Sequence, residues 1–133
     1  KNHKISTPVY LQDIHPTIFE LAGADKPEHV EFRSFAPLLT GKGEYQPYDG
    51  IYSAYVSHQR MISKGNFKLI LYPKIKTARM FNLKKDPLEK MDLLKSPSKR
   101  HKQRARSLAK VLQKWNNETG GDSDFSQDFP ELY

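Results

Sequence analysis

The sequence predicts an α+β domain: a small antiparallel sheet of three or four strands, two short amino-terminal helices, and one long amphipathic carboxyl-terminal helix packed on the sheet. Three observations support this prediction. Apolar residues recur at helical spacing near both ends of the chain, and β-prone runs fill its middle. The connections between those runs are too short for crossover helices.

Helical spacing predicts a first helix over residues 14–22. Its apolar residues share one face: Ile14, Ile18, Leu21 and Ala22. Asp13 is the expected N-cap, because its carboxylate can accept an amide N–H of the first turn. Gly23 suits the left-handed conformation in which many helices end. A second short helix is expected over residues 35–40, with Ser34 as its cap.

The middle of the chain predicts the strands. The β-prone runs are 51–57, 60–63, 67–72 and 78–83. Lys64, Gly65 and Asn66 separate the second run from the third, and a short glycine-containing connection of this kind is typical of a hairpin. Antiparallel pairing is therefore predicted.

A long helix is predicted over residues 97–117, opened by Ser96 and Pro97 and stopped by Gly120 and Gly121. Its apolar residues form one narrow stripe: Ala105, Leu108, Leu112 and Trp115. Four large residues follow in the tail and are expected to pack back onto the domain. They are Phe125, Phe129, Leu132 and Tyr133.

The net charge of +7 is unevenly distributed. Residues 1–94 hold 14 Lys and Arg against 10 Asp and Glu, and residues 95–114 hold 8 against none. Residues 115–133 reverse the balance, with no base and 5 acids. The basicity therefore belongs mainly to the long helix, which an acidic tail follows.

Several classes of chemistry lack support in these residues. The chain has no cysteine, which excludes disulfides, thiolate metal sites and a cysteine nucleophile within it. Its five histidines show no metal-ligand spacing: His3, His15, His29, His58 and His101. No glycine-rich phosphate loop, nucleophile elbow or run long enough to cross a membrane is visible. We therefore predict no catalytic residue, metal ligand, nucleic-acid contact or membrane contact in this chain.

The best candidates for substrate contact are Tyr55, His58 and Arg60. A phenol, an imidazole and a guanidinium near the end of a strand can hydrogen-bond a sugar or an anionic group. Tyrosines of a sheet core beside a surface arginine would give the same pattern, so both interpretations stay open.

Four segments resemble, in order, the carboxyl-terminal region of type I sulfatases of the alkaline-phosphatase superfamily. The first is the predicted helix with its flanking residues, Asp-Ile-His-Pro-Thr-Ile-Phe-Glu-Leu-Ala-Gly over 13–23, and the second is Arg-Ser-Phe-Ala-Pro-Leu-Leu-Thr-Gly over 33–41. The third is the predicted hairpin of residues 60–62 and 67–70. The fourth is Met-Phe-Asn-Leu-Lys-Lys-Asp-Pro-Leu-Glu over 80–89, followed by Asp92-Leu93. Asn82 and Asp92 exchange the family's usual Asp and Asn. The resemblance covers roughly residues 8–118.

This resemblance implies a sulfuric ester hydrolase, of the kind often labelled choline-sulfatase or arylsulfatase. Such enzymes use a formylglycine made from cysteine or serine and a divalent cation, usually calcium, and both lie upstream of this region. The chain would be a single carboxyl-terminal subdomain over 1–133: a helical lead-in over 1–48, sheet and helix over 49–118, and an acidic tail over 119–133.

The resemblance also implies partners and a location. The partners would be the missing amino-terminal catalytic lobe and, in the full enzyme, a sulfated small molecule or carbohydrate. The fragment alone is expected to be inactive and to self-associate, and the full enzyme to be periplasmic or secreted.

The alternative is a stand-alone basic module that binds nucleic acid or acidic polysaccharide through residues 99–106. Against it, any amphipathic surface helix places its bases away from its apolar stripe, and the acidic tail would compete for the same surface.

Overall fold

The computed structural model describes residues 4–133, so His3 lies outside the described residues. The chain divides into two compact units, Lys1–Asp49 and Gly50–Tyr133. The predicted α+β class is confirmed, with a four-stranded antiparallel sheet and helices. No helix within residues 4–133 combines the length and the apolar character that crossing a bilayer demands.

The first unit contains the two predicted short helices. A 3₁₀ turn, Leu11–Asp13, leads into α1, Ile14–Ala22, and α2 follows as Ala36–Thr40. Gly23 ends α1 with φ 66°, a conformation that other residues rarely adopt. The N-cap of α2 is Phe35, without a side-chain cap hydrogen bond, so the prediction of Ser34 as the cap is wrong by one residue. The Ser34 hydroxyl nevertheless accepts the Ala36 N–H at 3.1 Å.

The apolar face of α1 is exposed. Ile14, Ile18 and Leu21 are 43%, 58% and 54% exposed. The residues of α1 that are buried are Pro16 and Thr17. Periodicity predicted the helix correctly, yet nothing in the described chain covers the predicted face.

The second unit is a meander of four antiparallel strands in the order β1-β2-β3-β4. The strands are β1 Ile51–Tyr55, β2 Gln59–Lys64, β3 Phe67–Tyr72 and β4 Thr77–Asn82. Gly65 and Asn66 join β2 to β3, with Gly65 at φ 59°. The predicted hairpin is therefore confirmed. The first strand ends two residues before its predicted end, because Val56 at φ 47° leaves the extended conformation.

The long helix α3, Lys99–Glu118, packs on this sheet. Its N-cap is Ser98, whose hydroxyl accepts the His101 N–H at 3.2 Å. The expected opening at Ser96 was therefore two residues early. The sheet and the helix bury a shared apolar core, to which they contribute Ile62, Leu69, Leu71, Met80, Ala105, Leu108, Ala109 and Leu112.

The tail completes that core, as predicted. A short helix α4, Phe125–Asp128, precedes a 3₁₀ turn, Pro130–Leu132. Phe125 and Phe129 are fully buried. The Tyr133 hydroxyl donates to the Ala109 carbonyl at 2.9 Å. Burial, and then the nearby Asp124 carboxylate, raise the pKa of Tyr133 to about 12.

The segment after β4 folds back against that strand. The Met80 N–H donates to the Asp92 carboxylate at 3.2 Å, and the Leu93 N–H donates to the Met80 carbonyl at 2.8 Å. Just before it, the Glu89 carboxylate pairs with Lys68 of β3 at 2.8 Å. The motif that includes Asp92 and Leu93 is thus bonded to the sheet.

Candidate functional site

The loop between β1 and β2, residues 56–58, is the candidate site. Tyr55 pairs with Gln59 across the hairpin, and the His58 N–H donates to the Tyr55 carbonyl at 3.0 Å. Val56 at φ 47° is unusual, because a β-branched residue is rarely stable in the left-handed region. A tight and strained loop therefore presents its side chains to solvent.

All three predicted residues lie at this loop, but the structure brings only the side chains of Tyr55 and His58 close together. Tyr55 is 67% exposed, and its ring centroid lies 6.2 Å from that of His58, which is also exposed. Arg60, in contrast, is half-buried. Their role in binding substrate stays a prediction.

Arg60 is directed into the protein. Its Nη1 donates to the carbonyls of Val56 at 2.6 Å and Gln59 at 3.0 Å. Its Nε donates to the Asn116 side-chain oxygen at 3.4 Å. Asn116 is fully buried in α3, and its oxygen also accepts the Tyr52 hydroxyl at 3.3 Å. The guanidinium therefore joins the loop to the helix.

Lys74 is a neighbour that the sequence did not reveal. It lies in the 3₁₀ turn Pro73–Ile75 after β3, and its Nζ is 3.4 Å from His58 Nε2. Sixteen residues separate the two, and the return of β3 alongside β2 brings them together. The sequence signal that could have found Lys74 is this hairpin register.

A second polar cluster lies in the first unit around Asp13, which is fully buried. Its carboxyl group accepts the Tyr10 N–H at 2.7 Å, the Arg33 N–H at 3.1 Å and the Tyr48 hydroxyl at 2.6 Å. Asp13 is the N-cap residue of α1, as predicted, but its carboxylate makes no hydrogen bond to a first-turn amide of that helix, so the predicted capping bond is wrong. Two of the three partners lie far along the chain, beyond the reach of a local capping rule.

Two tyrosines beside this cluster differ in their partners. Burial, and then the hydrogen bond to Asp13, raise the pKa of Tyr48. The buried Tyr45 hydroxyl has no hydrogen-bond partner among residues 4–133. Tyr45 lines an open depression of about 560 Å³ together with Glu20, Arg33 and Ser34.

Within residues 4–133, no group of three His, Asp or Glu side chains is placed to hold a metal ion.

Comparison with known proteins places the chain among sulfatase sequences and folds. Residues 1–118 match the family described as N-sulphoglucosamine sulphohydrolase, C-terminal. Among solved structures, a candidate sulfatase from Bacteroides thetaiotaomicron superposes with a TM-score of 0.68 at 24% identity over 80% of this chain. No curated protein matches the sequence significantly.

Two further solved structures share the fold. BT1596, described as a 2-O GAG sulfatase, superposes with a TM-score of 0.66 at 22% identity over 85% of this chain. BT4656, solved with its substrate D-glucosamine-2-N,6-O-disulfate, gives 0.64 at 22% identity over 79%. The chain spans 24%, 27% and 23% of these three chains, respectively.

Proposed function

Because the chain belongs to the N-sulphoglucosamine sulphohydrolase C-terminal family, we propose that it is the carboxyl-terminal part of a sulfuric ester hydrolase and is inactive by itself. It would complete the fold of an amino-terminal catalytic lobe and contribute to the substrate cleft. The substrate would be a sulfated carbohydrate or small molecule. Tyr55, His58 and Arg60 are the candidate residues at the substrate entrance.

The observation that carries this proposal is the uncovered apolar face of α1. Ile14, Ile18 and Leu21 lie on one side of the helix and are all exposed. Isolated exposed apolar residues are common, but a row on one helix face marks a surface that binds protein. The chain spans about a quarter of the sulfatase chains that share its fold, so the catalytic lobe is the occupant we propose.

Further properties of the full enzyme belong to the same proposal. It would use formylglycine and a divalent cation, usually calcium, both held by the amino-terminal lobe. A choline-sulfatase-like activity and a periplasmic or secreted location follow from the resemblance alone. Fractionation of cells that express the full gene would test the location.

The decisive experiment reads the gene upstream of residue 1. We expect it to encode a lobe with the five-residue motif at which formylglycine is made. In that motif a Cys or Ser comes first, Pro or Ala third and Arg fifth, and the second and fourth residues vary. The longer protein should release sulfate from D-glucosamine-2-N,6-O-disulfate or an aryl sulfate, and the 133-residue chain should release none. A gene without such a lobe, or sulfate release by the short chain, would overturn the proposal.

Light scattering tests the exposed face directly. We expect the isolated chain to self-associate, and the double variant Ile18→Glu, Leu21→Glu to be monomeric. Leu88→Glu is the matched control, because Leu88 is 72% exposed but lies outside α1. A wild-type chain that stays monomeric at high concentration would contradict the docking role of this face.

A further inference from the structure

The β1–β2 loop holds an energetically unfavourable conformation. Val56 has φ 47°, although its branched side chain disfavours the left-handed region. Strained residues of this kind persist where their surroundings hold them, and they cluster at functional sites. The shape of the loop therefore needs a physical cause in its neighbours.

Arg60 supplies that cause. Its Nη1 donates to the carbonyl of the strained Val56 at 2.6 Å and to the carbonyl of Gln59, three residues later, at 3.0 Å. In the rigid plane of the guanidinium, Nη1 bonds both carbonyls while Nε bonds Asn116 at 3.4 Å, whereas a lysine ammonium has a single nitrogen and no fixed plane. With two of its three nitrogens engaged by the protein, Arg60 acts as a brace of the loop.

Asn116, which binds the Arg60 guanidinium, is itself held in place. Asn116 is fully buried, accepts from Arg60 and Tyr52, and donates through Nδ2 to the Ser123 carbonyl at 3.3 Å. A Cβ added at Gly121 would collide with the Asn116 side-chain oxygen. Helix α3 and the segment after it thus hold the amide that orients Arg60.

The outward side of the loop carries donors suited to an anion. The Lys74 ammonium lies 3.4 Å from His58 Nε2, and within the described chain Lys74 forms no ion pair with a carboxylate. An ammonium and an imidazole N–H both make charge-assisted hydrogen bonds to anionic oxygens. The exposed Tyr55 ring beside them offers a flat amphipathic surface to a sugar.

We propose that Tyr55, His58 and Lys74 form a contact site for an anionic group of an acidic sugar, sulfate or carboxylate, and that Arg60 is a positioning residue which holds the loop. This inference deepens the proposed function and rests on it for the substrate class. It replaces Arg60 with Lys74 as the cation that touches the ligand.

The test is an NMR titration of the 133-residue chain with D-glucosamine-2-N,6-O-disulfate, with glucuronic acid and with uncharged N-acetylglucosamine. We expect signals of Tyr55, His58 and Lys74 to shift with at least one of the two anionic sugars and not with the uncharged one. The two anionic arms distinguish sulfate from carboxylate. The Arg60 Nε signal should barely move. Absence of shifts in both arms, or Arg60 Nε as the most shifted signal, would overturn the proposal.

Variants separate contact from positioning. Lys74→Gln should weaken binding about tenfold, as expected for the loss of one charge-assisted bond, and leave the Val56 amide signal in place.

Arg60→Lys keeps the positive charge but loses the planar guanidinium. It should therefore move the Val56 and Ser57 amide signals in the absence of ligand and weaken binding as much as Arg60→Ala. If Arg60→Lys binds like wild type, charge alone matters and the positioning role is wrong. Lys76→Gln is the matched control, because Lys76 pairs with Asp128 at 3.7 Å instead.

The two proposals fail in different ways. If the longer protein hydrolyses sulfate esters but its Lys74→Gln variant keeps the wild-type KM, the contact site is wrong and the sulfatase assignment stands. If the chain binds the disulfate through Lys74 but the gene encodes no catalytic lobe, the sulfatase assignment is wrong and the contact site stands.

Discussion

Helices α1 and α3 carry similar apolar stripes, but the stripe of α3 is buried within its unit and the stripe of α1 is exposed. Leu112 of α3 is fully buried against the sheet, whereas Leu21 of α1 is 54% exposed. The first unit fully buries a charged residue, Asp13, whereas the second unit buries an apolar core. The difference shows that helical periodicity identifies a stripe, while the rest of the chain decides whether anything covers it.

The largest predicted effect contrasts the same substitution in the two helices. Leu112→Ala should lower the free energy of unfolding by about 2–5 kcal/mol, because it leaves a cavity in the core. Leu21→Ala should change it by less than about 0.5 kcal/mol, since an exposed side chain loses little on truncation. Urea unfolding followed by Trp115 fluorescence and by circular dichroism measures both. Equal costs would remove the contrast between the units.

The second prediction tests whether polar bonds organise the first unit. Tyr48→Phe removes the hydroxyl that donates to Asp13 and should cost about 1–3 kcal/mol. Tyr45→Phe is the control, and it should be neutral or stabilising because it deletes a buried hydroxyl without a partner among the described residues. Hydrogen exchange of the Arg33 amide, which donates to Asp13 at 3.1 Å and to the Tyr48 hydroxyl at 3.3 Å, reports the effect. Faster exchange in Tyr45→Phe than in Tyr48→Phe would contradict the assignment.

A third prediction concerns how the two helices begin. Ser98 caps α3 through its side chain, whereas α1 has no side-chain cap. Ser98→Ala should therefore cost about 1 kcal/mol, and Ser96→Ala close to nothing. Urea unfolding of the two variants side by side measures the difference, and a larger cost at Ser96 would restore the helix start predicted from sequence.

The smallest predicted effect is a pH dependence in the second unit. The pKa of Tyr133 is about 12 in the folded chain, against about 10 for a free tyrosine. Folding thus favours the neutral phenol over the phenolate. The contribution of Tyr133 to the free energy of unfolding is therefore complete below about pH 10 and is lost as the pH rises towards about 12. Because the residue is partly exposed, we expect a loss below about 1 kcal/mol. The difference between wild type and Tyr133→Phe at pH 9 and pH 11.5 measures it; a difference that grows with pH in favour of wild type would have the wrong sign.

Local rules predicted the elements well because helices and hairpins are set by nearby residues. The bounds of α1 and β3 match their predictions, and Gly23 ends α1 as expected. What could not be predicted depends on distant partners. Asp13 satisfies every local requirement of an N-cap, and only the fold shows that Tyr48, 35 residues later, donates to it.

The candidate site divides in the same way. Tyr55 and His58 were predicted from their place at a strand end, and the structure puts them there. The direction of the Arg60 guanidinium depends on Asn116, which lies 56 residues away on another element. The placement of Lys74 depends on the register of β3. Side-chain chemistry can be read from the sequence, but its orientation follows from the tertiary fold.

The bonds between β4 and the segment after it have a consequence for aggregation. A strand at the border of a sheet ordinarily offers unpaired N–H and C=O groups to the strand of another molecule. At Met80, the Asp92 carboxylate and the Leu93 amide already occupy both groups. This border of the sheet is therefore closed to a foreign strand there, and loss of the Asp92 side chain would leave the Met80 N–H open to the carbonyl of another chain.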